Sequence, residues 1–448
     1  MIDDENIWND NEDEENDDEL TQEAVARFES MLRAQRPAYF DAEELELIID
    51  YYINRNDLKH SREAVDLAME QHPEDVCLQI KNARQSLVEN NPKQALELLQ
   101  QIDGSEEEDD YYLTLGSCYA ALGKNRQAVD SYTRALRYYD EDETGDIYQA
   151  IITCFLANDD IEEGIAYFNR RIDEHPHEAE AWSALGDIYR RVDRLEDAIE
   201  MYEYALSIDP THQWANMNLA NSYYDLDRFQ EAIDSLHEAI AHGVDSAIIH
   251  ASLGDCHYRK GEFIDAKNEY QQALQRDEYL TEAWSGLGYV FSDSGDSAKA
   301  IQYFEKAYRL DPLNDDHLYN LAAEHHKNNQ NEKALYYLLE IERRQPNDPD
   351  LYFFLGDLLA DMGRMDEGIG YLMLGLQRTN NNPTLLYLLA YLYLERGDKQ
   401  TALGYLEEAL TADPGYYKEF IDYNPEMITN DVEVMEMIKK KTEERSKK

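Results

Sequence analysis

Acidic side chains are the most abundant groups in this chain that could do chemistry, since its 448 residues include 95 Asp and Glu. Two carboxylates held close together can act as general acid and general base. At this abundance such pairs arise on almost any surface, and the sequence marks no pocket that would hold a substrate beside them. The carboxylates therefore predict a solvated acidic surface and not a catalytic site.

Histidine and cysteine give no stronger signal for catalysis or metal binding. The pair His325 and His326 has no converging third ligand at a recognisable metal-binding spacing. Cys118, Cys154 and Cys256 share one place in the repeating pattern described below, which predicts small packing residues instead of reactive thiols. The chain has no P-loop, no Gly-x-Ser-x-Gly and no His-Glu-x-x-His motif. We expect no enzyme activity, no cofactor and no metal site.

The elements that must position any functional side chain are helical. Residues 179–212 contain two helical patterns in succession, separated by a short polar turn and ended by Pro210. The first pattern has the spacing i, i+3, i+4, i+7 of an amphipathic helix. The patterned residues are Trp182, Leu185, Gly186 and Tyr189 in the first helix and Ala198, Tyr202 and Ala205 in the second. The stretch therefore predicts an antiparallel helix hairpin.

This hairpin recurs along the chain as a repeat of 34 residues. Eight copies in strict register begin at residues 145, 179, 213, 247, 281, 315, 349 and 383, and a ninth begins at 109 before a two-residue slip. Large residues at positions 4, 7, 11 and 24 of the repeat would fill the space between helices. Small residues at positions 8, 20 and 27 would let helix backbones approach. Because such units pack on their neighbours, the chain can exceed the size of a single-core domain.

In its motif W-x2-L-G-x2-Y, followed by A-x3-Y-x2-A-x4-P, the repeat resembles the tetratricopeptide repeat family. The resemblance covers residues 109–414 firmly and 38–108 loosely. It implies an all-α fold, a right-handed α-solenoid of stacked antiparallel helix pairs, the tetratricopeptide repeat superhelix. Gly164, Gly368 and Gly375 replace alanines of the motif. We expect looser packing there, because glycine within a helix costs roughly 0.5–1 kcal/mol relative to alanine.

The sequence divides into four predicted regions. The first, residues 1–19, has eleven acidic residues and no Lys or Arg, which is typical of a disordered tail. The alternative is an acidic docking arm anchored by Ile7 and Trp8. The others are a helical N-terminal region with degenerate repeats (20–108), nine tetratricopeptide repeats (109–414), and a C-terminal capping helix with a basic tail (415–448).

The family resemblance also implies which side chains would meet a partner. In the family, positions 2, 5, 9, 12 and 13 tend to face a concave groove lined by the first helices. Here these positions are rich in tyrosine, which offers a large contact area at low entropic cost, and in aspartate. Alternatively, the tyrosines pack against neighbouring repeats. The residues are Asp187, Arg190, Arg191, Met217, Asn221, Tyr224, Asp225, Asp255, Tyr258, Arg259, Tyr289, Tyr319, His326, Lys327, Phe353, Asp357, Tyr387 and Tyr391.

The strongly negative net charge of the chain indicates which classes of partner it can bind. The formal net charge of −54 disfavours nucleic acid and anionic membranes and favours basic protein segments. The chain has no apolar run of about 18 residues that would span a membrane. It also lacks the features of a signal peptide at its N-terminus, and its four scattered cysteines are typical of reduced thiols. We therefore expect a cytoplasmic location.

Together these features predict a non-enzymatic scaffold. Its concave groove would bind a peptide or helix of a partner protein that carries positive charge. Two alternatives remain open: an assembly factor that self-associates, and a non-catalytic subunit of a larger enzyme complex. Some family members bind a C-terminal carboxylate with Lys and Asn on successive first helices. Position 5 never holds Lys here, and Asn221 is isolated, so we do not expect that mode.

Overall fold

The computed structural model describes the backbone of residues 7–102, 109–139 and 144–445, and the side chains of 20–102, 110–139 and 144–442. In these residues the chain forms helices and turns and no strand. It divides into two compact units, one made of residues 1–228 and 237–244 and the other of 229–236 and 245–448. Within each unit antiparallel helix pairs stack in chain order, which confirms the predicted α-solenoid.

The helices of the first unit begin with α1 and end with α12. They are α1 (Ile7–Ala34), α2 (Ala42–Asn54), α3 (Leu58–Gln71), α4 (Val76–Val88), α5 (Pro92–Leu99), α6 (Asp109–Ala121), α7 (Asn125–Ala135), α8 (Gly145–Ala157), α9 (Ile161–Glu174), α10 (Ala179–Arg191), α11 (Leu195–Ile208) and α12 (Gln213–Asp225). The next helix, α13 (Phe229–Ala241), contributes residues to both units.

The second unit continues with the same alternation of helices. They are α14 (Ala247–Arg259), α15 (Phe263–Arg276), α16 (Thr281–Asp293), α17 (Ser297–Leu310), α18 (Asp316–Lys327), α19 (Asn331–Arg344), α20 (Pro349–Asp361), α21 (Met365–Arg378), α22 (Pro383–Glu395), α23 (Lys399–Ala412), α24 (Tyr417–Tyr423), α25 (Pro425–Asn430) and α26 (Val432–Arg445), with a short 3-10 turn at Pro414–Tyr416.

Each repeat turns from its first helix to its second through one residue in the left-handed conformation. Asp193 has φ 60° and Gly261 has φ 79°. Asn, Asp and Gly tolerate this conformation better than other residues. After Asp193 the amide of Arg194 donates to the carbonyl of Tyr189 at 2.9 Å and so closes the helix end. The equivalent residues are Gly123, Asp159, Asp227, Gly295, Asn329, Gly363 and Gly397, so the turn falls at the same position in every repeat.

Position 8 of the repeat is where the two helices of a pair come closest. A Cβ at Gly186 would lie 2.6 Å from the ring of Tyr202 in the second helix. A Cβ at Gly254 would lie 2.6 Å from Tyr270 in the same way. The small residue at position 8 is therefore required by the large residue at position 24.

In the repeat that begins at 349, the glycines that replace alanines, Gly368 and Gly375, mark close contacts and not loose packing, contrary to the sequence-based expectation for that repeat. A Cβ at Gly375 would lie 2.6 Å from the Cβ of Tyr352. A Cβ at Gly368 would lie 2.7 Å from the carbonyl oxygen of Gly356. The helix backbones there approach more closely than alanine would permit, so the contact offsets part of the conformational cost of glycine.

The chain ends differ from their predicted form. Helix α1 begins at Ile7, so the backbone of residues 7–19 is helical where the composition predicts disorder, while residues 1–6 lie outside the described part. A helix that is already formed lengthens with one hydrogen bond for each residue it orders, which is cheaper than nucleation. The predicted single capping helix is instead three helices, because Asn424 and Asp431 each cap a new one.

Among the described helices, none combines the length and apolar character that crossing a membrane requires.

Candidate partner-binding site

Within each unit the first helices of the repeats lie side by side and expose a shared surface. In the described residues, successive first helices touch each other directly, as α8 with α10 in the first unit and α14 with α16 and α20 with α22 in the second. We use the term first-helix surface for the side chains at positions 2, 5, 6, 9, 12 and 13 of these helices. All the candidate residues lie on it, but they differ in what they touch.

Asp187 is a framework residue of this surface in the first unit. It is only 9% exposed, and its Oδ1 accepts hydrogen bonds from the Tyr202 hydroxyl at 2.6 Å and the Asn218 amide at 2.8 Å. Its Oδ2 accepts from the amide of Gln149. The carboxylate thus ties α8, α10 and α12 together, and it has little capacity left for a partner.

A cavity of about 560 Å³ opens beside Asp187 in the first unit. Arg190 and Arg191 line it, and the Arg191 guanidinium donates to the side-chain oxygen of Gln149 at 3.4 Å. Trp214 is 69% exposed at its edge. The cavity therefore offers an indole face and two guanidinium groups to solvent.

Four further candidates lie on α12. Met217, Asn221 and Tyr224 are half-buried, and Asp225 is exposed. Their accessibility fits a contact surface, and only Asp225 among them carries charge. The sequence-based assignment of these four residues stays a prediction.

In the second unit, Asp255 repeats the arrangement of Asp187 in a more open setting. Tyr270 packs on Gly254, and its hydroxyl donates to Asp255 Oδ1 at 2.6 Å. Asp255 keeps contact with water on one side. The protein around it nevertheless displaces enough water to raise the pKa of its carboxyl to about 6, although the hydrogen bond from Tyr270 acts in the opposite direction.

Tyrosine rings follow on the next first helices of this unit. The Tyr258 hydroxyl donates to Asp293 at 2.7 Å, and its ring centroid lies 6.1 Å from that of Tyr289. The Tyr289 hydroxyl accepts from the Asn320 amide at 2.7 Å, while its ring is 39% exposed. The hydroxyls are used inside the protein and the rings remain partly open, so contact of these rings with a partner stays a prediction.

The cationic candidates of the second unit are engaged by their own chain. The Arg259 guanidinium lies 4.9 Å from the centre of the Phe229 ring. The Lys327 ammonium donates to the carbonyl of Ser292 at 2.7 Å and to its hydroxyl at 3.0 Å. Both side chains keep their charge, but these contacts would have to be given up or shared if either side chain paired with a partner.

A smaller cavity of about 210 Å³ lies between α18, α19 and α20. Tyr319 lines it with a ring whose hydroxyl donates to Asp348. Phe354 is 46% exposed beside it. Asp357 is the carboxylate of this cavity, and desolvation raises its pKa, with a smaller contribution from the charge of Asp361.

In the last two repeats the chain itself covers part of the first-helix surface, at Phe353, Tyr387 and Tyr391. Tyr387 is fully buried, with its ring 5.6 Å from Phe420, and its hydroxyl donates to the carbonyl of Asp413 at 2.6 Å. Tyr423 of α24 lies 5.5 Å from Tyr391 and 6.2 Å from Phe353, measured between ring centroids. This corrects the prediction for Tyr387, which α24 encloses and which cannot meet a partner in this structure.

His325 and the cysteines at position 10 are buried among the helices, and for the cysteines this is the predicted packing role. His325 is 2% exposed, and its ring stacks on Tyr337 with centroids 5.5 Å apart. Burial raises the pKa of the Cys118 thiol to about 11 and that of Cys256 to about 12. Thiols with such pKa values are protonated near neutral pH and therefore unreactive.

Among the residues that the structure describes, two clusters bring possible metal ligands within 4.8 Å of one another, which the sequence spacing did not reveal. In one of them Lys260 pairs with Glu262 at 2.8 Å and supplies the positive charge that a metal would bring. In the other, Asp75 already caps α4 by accepting from the amide of Leu78. The clusters are Glu46, Asp75 and Cys77, and His257, Glu262 and Asp265.

Sequence reasoning missed several residues of the surface. Gln149 and Trp214 occupy positions 5 and 2, so applying the family positions to every repeat would have found them. Asn218, Asn320 and Phe354 all occupy position 6, which the family positions used for the prediction do not include. Their role becomes visible only through the cavities and hydrogen bonds described above.

Comparison with known families matches most of the repeat region. Three family models, each described as a tetratricopeptide repeat, match the chain. The first matches residues 109–142, the second 190–256, and the third 151–212, 258–315, 319–383 and 376–417. Together they cover more than half of the chain. None of the curated proteins matches it.

Several solved structures resemble the chain at low identity. The structure of the APC/C hetero-tetramer Cut9-Hcn1 is 17% identical over 78% of this chain and 75% of that chain, with a TM-score of 0.45. A tetratricopeptide repeat protein from Parabacteroides merdae is 19% identical over 56% of this chain and 99% of that chain, also with a TM-score of 0.45. YrrB, described as a TPR protein with an unusual peptide-binding site, is 25% identical over 40% of this chain and 93% of that chain, with a TM-score of 0.32.

Proposed function

Because this chain belongs to the tetratricopeptide repeat family, we propose that it is a non-catalytic scaffold whose first-helix surface binds an extended or helical segment of another protein. The partner segment would carry positive charge. Aromatic side chains of the surface would contact the segment, and accessible carboxylates would pair with its Lys or Arg residues.

The packing of α24 is the observation that carries this proposal. Here a short helix lies on first-helix residues, with Tyr423 between Phe353 and Tyr391 and with Phe420 against Tyr387. The chain thus contains an example of an aromatic helical segment bound to positions 5 and 9 of its own repeats. The tyrosines of earlier repeats offer the same kind of ring surface to a segment from another protein.

Charge supports a basic partner. The net charge is −54, and Asp225 and Asp255 are both open to solvent on the first-helix surface. A field of this sign attracts a basic segment before contact and weakens as ionic strength rises. We therefore expect affinity for the partner to fall as salt is added.

The test replaces Tyr258, Tyr289 and Tyr319 with alanine in one variant. The partner is captured from native lysate by the wild-type chain, identified by mass spectrometry, and titrated as a purified protein against the variant. We expect binding to be lost while circular dichroism stays helical. Retention of wild-type affinity by this variant would refute the assignment of the surface.

A matched control replaces three tyrosines outside the first helices. Tyr39, Tyr279 and Tyr336 are 70%, 68% and 62% exposed. Their combined change to alanine removes the same number of rings and should leave binding at the wild-type level. Light scattering over a range of protein concentrations tests the alternative of self-association, which predicts a mass that increases with concentration.

A further inference from the structure

The aspartates at position 9 of three repeats differ in whether the second helix of the repeat supplies a hydrogen-bond donor. Asp187 and Asp255 accept from Tyr202 and Tyr270, the position-24 residues of their own repeats. In the repeat that begins at 349, position 24 is Leu372, which packs on Gly356 just as the tyrosines pack on their glycines. Leucine has no donor, so Asp357 lacks the hydrogen bond that the other two aspartates receive.

Within the described part of the chain, Asp357 makes no hydrogen bond and no ion pair with another side chain. The nearest candidate, His326, is engaged elsewhere: its Nδ1 lies 3.1 Å from Asn331 Oδ1 and its Nε2 lies 3.3 Å from Asp361 Oδ2. Asp357 is only half-exposed, and desolvation raises its pKa, as does the charge of Asp361, while His326 lowers it. A partly desolvated carboxylate without a partner is stabilised when a cation binds beside it.

The cavity in front of Asp357 has the shape and chemistry for one particular side chain. Its volume is about 210 Å³, and its walls are mostly apolar, with Ala323, Leu338 and Leu358 among the lining residues. The rings of Tyr319 and Phe354 lie 5.7 Å apart at its edge. A partly desolvated cation beside such rings is attracted by their electron-rich faces.

We propose that this cavity binds the side chain of a lysine in the partner segment, with the ammonium on the Asp357 carboxylate and the four-carbon stem along the apolar walls. Lysine has a long apolar stem and a compact charge, which suits one carboxylate at an apolar site. Arginine fits less well, because a single carboxylate leaves several of its five donors without an acceptor. This inference rests on the proposed function, since it assigns one contact of the bound segment.

The first experiment uses a small probe and needs no partner. Nα-acetyl-lysine methylamide is titrated into the full chain with 13C-labelled alanine methyl groups, and the Ala323 methyl signal is followed, because Ala323 lines the cavity. We expect a saturable shift of this signal. The matched probe, Nα-acetyl-norleucine methylamide, has a similar stem without the charge and should bind about tenfold more weakly.

Two variants make the test specific to one carboxylate. Asp357→Asn should weaken the lysine probe about tenfold, since it removes the charge and keeps the shape. Glu332→Gln removes an equal charge at an exposed position of α19, outside the cavity lining, and should bind the probe within about twofold of the wild type. Equal affinity of Asp357→Asn and wild type, or equal affinity of the two probes, would overturn the inference.

The second experiment separates this inference from the proposed function. Asp357→Asn and Glu332→Gln are compared in their affinity for the captured partner, and only the first should lose affinity. A partner that needs Tyr258, Tyr289 and Tyr319 but binds Asp357→Asn normally would contradict the lysine site and support the scaffold. A chain that binds the lysine probe at Asp357 but captures no partner would contradict the scaffold and support the site.

Discussion

The hydroxyl of Tyr202 donates a hydrogen bond of 2.6 Å to the carboxylate of Asp187, on the first helix of the same repeat. To reach it, the tyrosine ring crosses Gly186, where a Cβ would lie 2.6 Å from the ring. One side chain thus fills the space between the helices and also holds a carboxylate of the first-helix surface in place. Tyr270 does the same for Asp255.

The first prediction concerns this hydrogen bond. Tyr202→Phe leaves Asp187, which is almost buried, without one of its three donors, and should lower the free energy of unfolding by about 1–2 kcal/mol. Tyr132→Phe is the matched control, because the Tyr132 hydroxyl meets only the neutral hydroxyl of Ser117, at 3.1 Å. Urea unfolding measures both, and a loss for Tyr132→Phe as large as that for Tyr202→Phe would contradict the role assigned to Asp187.

The second prediction concerns the close approach at position 8. Gly186→Ala places a methyl group against the Tyr202 ring, and relieving the contact should cost about 1–3 kcal/mol of stability. Gly404→Ala, on α23, meets no atom within 4 Å and should instead stabilise the chain by up to about 1 kcal/mol, since alanine is the better helix former. Thermal unfolding compares the two variants, and opposite signs are expected.

The third prediction concerns pH. The pKa of Asp255 is raised from 3.8 to about 6 in the folded chain, so between about pH 4 and pH 6 the folded state binds more protons at this site than the unfolded state. The contribution of Asp255 to stability therefore falls as pH rises through that window. Asp255→Asn should lose less stability than wild type between pH 4 and pH 7, measured by urea unfolding at each pH. A 13C titration of the Asp255 carboxyl with a midpoint near 4 would disprove the underlying shift.

The fourth prediction concerns the segment that covers the last repeats. Phe420 is fully buried against Tyr387, so Phe420→Ala removes the main apolar contact of α24. Amide hydrogen exchange should speed up in α22 and α24 and stay unchanged in α10 and α11. Lys418→Ala, an exposed position on the same helix, should leave exchange in both regions at the wild-type rate. Unchanged exchange in α22 of the Phe420 variant would show that α24 does not protect it.

Much of the fold can be predicted from the sequence because each repeat is local. Helix α10 begins at Ala179 and α12 at Gln213, the residues where the 34-residue register starts its units. The left-handed turn at Asp193 recurs at Asp227 with the same spacing. These features can be predicted from the sequence because each depends on residues within one repeat or in neighbouring repeats. They are the helix periodicity, the turn residues and the contact of position 8 with position 24.

The position of a residue in the repeat was not sufficient to predict which of the contact residues are free to bind a partner. Asp187 and Asp357 occupy the same position of the repeat, yet one is held by three donors and the other by none within the described residues. Part of this difference can be read from the sequence, because position 24 is a tyrosine in the repeat of Asp187 and Leu372, which has no donor, in the repeat of Asp357. The bonds from Gln149 and Asn218 cannot be read from it, because they depend on how neighbouring first helices are placed.

Tyr387 shows where the sequence reaches its limit. The register alone places it on the first-helix surface with Tyr258 and Tyr289, and all three were expected to be accessible. The sequence determines helix order, turns and the pairing of positions, because these follow from short-range periodicity. Only the tertiary structure decides which of these side chains stays open, because accessibility depends on every segment that packs nearby, and here Phe420 closes over Tyr387.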